Sequence, residues 1–321
     1  MNDPVMRFTG DMTAQLSQRS HSSQDNPQKP SVDKIKLIIH AGTPKTGTTS
    51  IQTYLSKKQR KLRGKGILYP HNLEASNNPA APAHQWFEKN LVTTHVDNFM
   101  VNMSNVISQI KDDTHTIILS SEGIYNYWWD FPDASKALLL ELATLFDIHV
   151  WVWFREPVAF IESYYKQCIR NPQVASNPCY GQNLSLADML EVKWFSQHLD
   201  YQGFVNDCKA IFGQKSVSAF EYNGDVVQQV SQLLGLATAH DNPTPRQNNS
   251  LNNASISLLR VINQYDVKAK DKERLMPYLK EINSIMDAYV DTNVRGKEVV
   301  SSLIDEVTKK RIMALATPVN D

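Results

Sequence analysis

Eight consecutive residues, Gly42-Thr43-Pro44-Lys45-Thr46-Gly47-Thr48-Thr49, have the types and spacing of an anion site. The segment before them, Ile35 to Ala41, is short, apolar and β-branched, and reads as a buried strand ended by Gly42. The segment from Thr46 to Leu62 carries Ile51, Tyr54, Leu55 and Leu62 near helical spacing, with Gly64 as a C-terminal stop. A strand that turns through glycines into a helix presents unpaired backbone N–H groups and the positive end of the helix dipole. Such a turn suits phosphate or sulfate. Gly47 lets the backbone approach the anion's oxygens, Thr48 and Thr49 bring hydroxyl donors, and Lys45 brings a full positive charge.

The loop departs from the ATP-hydrolysing form G-x-x-x-x-G-K-[ST], in which a lysine follows the second glycine and the next hydroxyl holds magnesium. Thr48 stands where that lysine belongs, and Lys45 lies two residues before Gly47. A third strand, Thr116 to Ser120, runs into Ser121-Glu122-Gly123 rather than into an aspartate placed to hold a metal. A nucleotide kinase or NTPase is an alternative that must contend with the missing lysine. A third class is a non-catalytic nucleotide-binding protein that keeps the loop and lacks a base. A glycine-rich turn with a purely structural role is the plainest alternative.

Pro44-Lys45-Thr46-Gly47-Thr48-Thr49 after a first strand resembles the 5′-phosphosulfate loop of sulfotransferases, P-K-[ST]-G-T-T. That family's other signature is an arginine ending a strand with a serine eight residues later. Val152-Trp153-Phe154-Arg155-Glu156-Pro157 followed by Ser163-Tyr164-Tyr165 keeps the order and the spacing. The likeness spans about residues 35 to 170 and is closer to bacterial carbohydrate-type sulfotransferases than to cytosolic ones. It implies an α/β fold, a three-layer α-β-α arrangement with a central, mainly parallel sheet and P-loop-like sulfotransferase architecture. It also implies 3′-phosphoadenosine 5′-phosphosulfate as co-substrate and a hydroxyl acceptor, expected to be a carbohydrate. In that scheme the N–H groups from Thr46 to Thr49 hold the 5′-phosphate and Lys45 stabilises the bridging oxygen as the phosphate leaves. Arg155 and Ser163 grip the 3′-phosphate, the guanidinium offering a planar fork of donors matched to phosphate. No metal is required. Cytosolic members carry a late R-K-G segment that closes over the donor. Here Arg246, in Pro245-Arg246-Gln247-Asn248-Asn249-Ser250, is the nearest basic residue in a comparable loop.

An acceptor hydroxyl has a high pKa, so a general base is expected to remove its proton as the new bond forms. Glu122 is the first candidate. It ends the strand before the Arg155 segment, where cytosolic sulfotransferases carry their catalytic histidine, and carbohydrate sulfotransferases resemble one another in using a glutamate. The alternative role for Glu122 is to cap the following turn. His84, at a loop-to-helix boundary in Ala81 to Phe87, is the second candidate, since an imidazole titrates near the working pH. Ser120 is a further donor to the sulfate or the ribose. Tyr125, Tyr127, Trp128 and Trp129 either stack on sugar rings or pack inside the protein.

These groups need a scaffold. Further strands are expected at Ile67 to Tyr69, His149 to Phe154 and Ser216 to Phe220. Helices are expected at Ala134 to Phe146, Pro157 to Ile169 and Asp225 to Leu236, with charge-rich helices from Ala254 onward. Strands alternating with helices mean a parallel sheet covered on both faces. Residues 1–33 read as a polar, disordered leader and 34–321 as a single domain whose last part, from about 250, is helical. Asn72 to Pro82 and Asp241 to Asn249 read as loops. Lys and Arg together number 33 and so do Asp and Glu, so no net field argues for nucleic acid or an anionic membrane. The basic run from Lys57 to Lys65 reads as a solvated helix end, with attraction for an acidic polymer as the alternative. Three irregularly spaced cysteines make no disulfide framework, and no apolar run suits a secretory signal or a membrane span. A cytoplasmic chain follows by default.

Overall fold

The computed structural model describes residues 10, 12–14, 16, 34–71, 83–175, 177–236, 251–265, 267–293 and 303–319. The expected leader lies outside them, apart from Gly10, Met12 to Ala14 and Leu16, which are helical with Met12 buried. The loops expected at Asn72 to Pro82 and Asp241 to Asn249, with Arg246, also lie outside them. The chain divides into two compact units, Met1–Phe154 with Gly203–Thr244, and Arg155–Gln202 with Pro245–Asp321.

The first unit is an α/β sandwich of three layers. Its strands are β1 (Lys36–His40), β2 (Ile67–Leu68), β3 (Thr116–Ser120), β4 (Asp147–Phe154) and β5 (Val217–Glu221). All pair in parallel in the order β2-β3-β1-β4-β5. Parallel strands buried on both faces read as continuous apolar runs, as β3 and the end of β4 do. On one face, Ile38, Ile118, Trp151 and Trp153 pack with Ile51, Tyr54 and Leu55 of α1 (Thr48–Lys57) and with Val226 and Val230 near Leu234. On the other, Ile39 and Val150 meet Phe87, Leu91, Ile124, Trp128, Leu139 and Cys208 around one small void. The chain leaves β1 toward one edge of the sheet and leaves β4 toward the other. The crevice beyond their carboxyl ends is where open α/β sheets bind ligands.

The expected helix from Thr46 to Leu62 is broken. After α1 the backbone of Lys58 turns out of helical geometry, and α2 (Gln59–Arg63) follows. Part of the basic run serves structure: the Lys58 ammonium lies over the Tyr54 ring and Arg63 Nη1 donates to the Gln109 carbonyl at 2.8 Å. The helix expected to follow His84 is α3 (Gln85–Thr93), whereas α4 (Val96–Ser108) and the four-residue α5 (Gly123–Asn126) were not legible beforehand. The helix α6 (Asp133–Leu145) forms where expected.

The second unit is helical. It begins with α7 (Pro157–Arg170), whose first turn is fixed by Glu156. That carboxylate accepts from the N–H groups of Val158 at 3.1 Å and Ala159 at 2.8 Å, and Pro157 fills the position where a missing N–H costs nothing. Tyr164 stacks face to face with Phe195 and Phe160 within the unit. The other end of α7 is closed by Lys272, a buried ammonium that donates to the carbonyls of Ile169 at 2.7 Å and Asn171 at 2.8 Å and to Asn263 Oδ1 at 2.7 Å. Burial pulls its pKa down to about 8, so at neutral pH it still carries the three protons those acceptors use. A cation is favoured there by the negative end of the helix dipole. All three cysteines are buried free thiols. Among the described residues no helix is long and apolar enough to cross a membrane.

Candidate functional site

The loop between β1 and α1 is built from left-handed backbone. Gly42 has φ +40°, Lys45 +67° and Gly47 +77°. A glycine adopts such a conformation freely, whereas a lysine is strained by about 1–2 kcal/mol, so the surrounding loop must hold Lys45 there. Alternation of left-handed with ordinary residues turns successive N–H groups toward one concavity, which is the geometry of an anion nest. Gly47 is the residue before α1, no side chain caps the helix, and its first turn holds no acidic residue. Its first N–H groups therefore keep the character of an uncapped positive helix end.

The glycines are required by packing as well as by angle. A Cβ on Gly42 would stand 2.9 Å from both Oγ1 and Cγ2 of Thr48, and one on Gly47 would stand 2.8 Å from Cγ2 of Val226. The threonines tie the loop down. Thr43 Oγ1 donates to the Trp153 carbonyl on β4, and Thr46 Oγ1 donates to the Thr43 carbonyl at 2.7 Å. Thr48 Oγ1 lies 3.5 Å from the same carbonyl, at the outer limit of a hydrogen bond. Pro44 is buried, Thr49 is exposed in the first turn of α1, and Lys45 is half-buried.

Glu122 leaves the adjacent strand. The pair His40 and Ser120 are in register. The turn after β3 is bonded to the start of the loop, Ser121 N–H to the His40 carbonyl at 3.1 Å and Tyr125 N–H to the Ala41 carbonyl at 3.3 Å. Glu122 sits at the start of α5, half-buried, and its side chain makes no capping bond there. Beside it lies a carboxylate that the sequence reading missed. Glu88 on α3 is buried and accepts from Ser121 Oγ at 2.5 Å. Its Cγ stands 2.3 Å from where a Cβ on Gly123 would be, so only glycine at 123 admits it. Glu88 follows His84 by four residues, one turn along the same helical face, which was the available signal.

His84 is fully engaged. Its Nδ1 accepts from Ser120 N–H at 3.0 Å and its Nε2 faces the Pro70 carbonyl at 3.0 Å, which fixes the proton on Nε2. Its own N–H donates to the Ser120 carbonyl at 2.8 Å. It clamps the ends of β2 and β3, and both ring nitrogens are spent on backbone. Burial lowers its pKa to about 4, and that of the equally buried His40 to about 3. Below the ordinary value of 6.5 the unfolded chain takes up protons that the folded chain refuses until those lower values. Stability is therefore complete above pH 6.5 and falls as pH drops through that window, by about 1.4 kcal/mol per pH unit for each histidine. Urea unfolding across the window checks this. The H84Q variant is expected to show a shallower fall, and a flat wild-type profile would contradict the assignment.

Tyr125 and Trp128 are buried and pack against Phe204, so they belong to the core rather than to a sugar-stacking face. Tyr127 and Trp129 are half-buried.

In the second unit Arg155 directly follows β4 in the chain and is half-buried. Its carbonyl accepts from Tyr201 O–H at 3.0 Å, and the Glu156 cap fixes the next residue, so its backbone is held from both sides. Ser163 lies two turns into α7, half-buried.

No protein-family model and no curated protein matches the chain. Among solved structures it is similar to the crystal structure of a sulfotransferase from Alicyclobacillus acidocaldarius, with 14% identity and a TM-score of 0.41 over 80% of this chain and 96% of that one.

Proposed function

We propose that this chain is a sulfotransferase of the carbohydrate type, moving a sulfuryl group from 3′-phosphoadenosine 5′-phosphosulfate to a hydroxyl acceptor, with a glycan as the expected class. The observation that carries the reading is the loop after β1. Three left-handed residues, an uncapped helix start without acidic residues and a lysine inside the turn make a cradle for an anion with a reacting group beside it. The arrangement fits a phosphosulfate better than ATP with magnesium, because Thr48 occupies the position of the ATP-binding lysine and its hydroxyl is buried.

The transfer is an in-line displacement in which positioning and electrostatics supply most of the catalysis. The acceptor oxygen forms a bond to sulfur while the bond from sulfur to the 5′-phosphate oxygen breaks. That oxygen keeps the electron pair, and Lys45 stabilises it. N–H groups from Thr46 to Thr49 hold the 5′-phosphate. Glu122 takes the acceptor proton; it is preferred over His84, whose ring nitrogens are both occupied. The order and spacing of Arg155 and Ser163 in the sequence assign them the 3′-phosphate, and Arg246 is assigned a supporting contact with the donor. Three buried free thiols accord with a reducing compartment, and the cytoplasm is the proposed location.

Donor carrying radiolabelled sulfur, mixed with glycans and simpler hydroxyl compounds, is expected to pass its label on and release adenosine 3′,5′-bisphosphate. Failure to release bisphosphate with any acceptor class, together with hydrolysis of ATP, would overturn the proposal. Binding of the bisphosphate gives a finer check. Arg155→Ala is expected to weaken it by about 1.5–3 kcal/mol, or about tenfold to 150-fold, as charged hydrogen bonds are lost. Unchanged affinity would remove Arg155 from the site.

A further inference from the structure

We propose that the cavity at the C-terminal end of α7 binds an anion of its own, a carboxylate or sulfate carried on a polar molecule of about monosaccharide size. The cavity lies within the second unit and is independent of the loop after β1. It encloses about 460 Å³, within the range of small-molecule sites. Its walls come from two segments. Pro172, Gln173 and Val174 follow the last turn of α7, and Tyr265, Val267 and Lys268 lead into the helix Ala269–Asn293. Gly181 also lines it at φ +67°, where a Cβ would stand 2.6 Å from the Gln173 backbone nitrogen, so only glycine leaves that wall in place. The 14 residues of α7, about 20 Å of helix, separate the cavity from Pro157 and the neighbouring Arg155.

Lys272 gives the cavity its charge. It lines the wall and is only 4% exposed. Its three protons go to the carbonyls of Ile169 and Asn171 and to Asn263 Oδ1, all neutral acceptors. These bonds satisfy the protons and leave the charge whole, whereas a buried charge is ordinarily paired. Among the described residues no carboxylate pairs with it, and burial is what lowers its pKa to about 8. The negative end of α7 offsets about half a charge. Lys272 also stands in the first turn of the helix Ala269–Asn293, however, and the positive end of that helix adds about as much. Lys268, just before this helix, is exposed at the cavity, and no ion pair engages it among the described residues. Asp271 in the same turn pairs with Arg274 at 3.6 Å and does not line the cavity.

The wall selects the ligand. A small anion beside Lys268 and the first turn of the following helix supplies the negative charge that Lys272 lacks. The rest of the lining is mixed. Pro172, Val174 and Val267 offer apolar contact, and the Gln173 amide offers both a donor and an acceptor. Tyr265, 69% exposed, offers an aromatic face with a polar edge. A sugar ring, with C–H faces and hydroxyls, uses all of these surfaces, whereas a purely apolar compound leaves the polar ones unmet. Sugar acids and sugar sulfates share the required chemistry.

The test is calorimetric titration of the full chain with glucuronate, glucose 6-sulfate and, as the neutral control, glucose. At least one anionic sugar is expected to bind and glucose is not. Lys268→Ala is expected to lower that affinity about tenfold, as a charged hydrogen bond is lost, and Lys268→Arg to restore most of it. Arg155→Ala is expected to leave it unchanged. In a chain with isotope-labelled lysine, the Lys272 signal, assigned by comparison with Lys272→Arg, is expected to move on saturation. Its titration midpoint should rise, because a nearby anion favours the ammonium. Asp266 lies outside the described residues, and Asp266→Asn is expected to leave the Lys272 signal in place. A signal that moves on this substitution shows that the chain's own carboxylate supplies the charge, and overturns the site. Absence of binding, or binding without movement of the Lys272 signal, does the same. Displacement of the sugar by adenosine 3′,5′-bisphosphate also overturns it, and leaves the donor assignment standing. Sugar binding in a chain that ignores the bisphosphate upholds this site while the donor assignment fails.

Discussion

Alanine at position 45 should reduce sulfuryl transfer by about 10²–10³-fold while leaving donor binding much less affected, because Lys45 is assigned to charge that grows only as the phosphate leaves. The backbone geometry makes this substitution informative. Lys45 occupies left-handed space at φ +67°, and alanine is strained there to a similar degree, so the change removes the ammonium without relaxing the turn. Arginine is not expected to rescue turnover in full. Its charge is spread over a planar fork suited to two parallel bonds, whereas the departing oxygen needs a compact point charge. Single-turnover kinetics separate the two effects. An equal loss in binding and in turnover would make Lys45 a general anchor, and unchanged turnover would remove it from the chemistry.

Glu122→Gln is expected to lower turnover by about 10²–10⁴-fold with donor affinity unaltered, as loss of a general base requires. The comparison with Glu88→Gln is the useful control. Glu88 is buried and bonded to Ser121 Oγ, so it positions the Ser121-Glu122-Gly123 turn rather than meeting an acceptor. Its loss is expected to cost stability and a smaller part of the activity. If Glu88→Gln proves the more damaging to turnover at equal stability, the roles of the two carboxylates must be exchanged. A Glu122→Gln protein of wild-type rate would leave the reaction without its base.

The elements that carry the loop were legible because their signals are local. A β-branched run ending at Gly42, the glycine pair and the periodic apolar residues after Thr48 define strand, turn and helix within about twenty residues. Glu156-Pro157 similarly announces the start of α7 through a cap and a fixed φ. The helix α4 was not legible, since it is rich in Asn, Val and Ser, which favour a helix little. It is helical because Phe99, Met103, Val106 and Ile107 are buried together. The catalytic prospects of His84 could not be judged from its neighbours in sequence. Its fate is decided by Pro70 and Ser120, which reach it only in the folded sheet. The aromatic residues after Glu122 illustrate the same limit, for Tyr125 and Trp128 find Phe204 through tertiary packing.

Calorimetric titration of the full chain with adenosine 3′,5′-bisphosphate and, separately, with ATP and magnesium tests the donor assignment most directly. Tighter binding of the bisphosphate, independent of magnesium, is the predicted result. Preference for ATP that depends on the metal would contradict it and return the loop to the nucleotide-hydrolysing class.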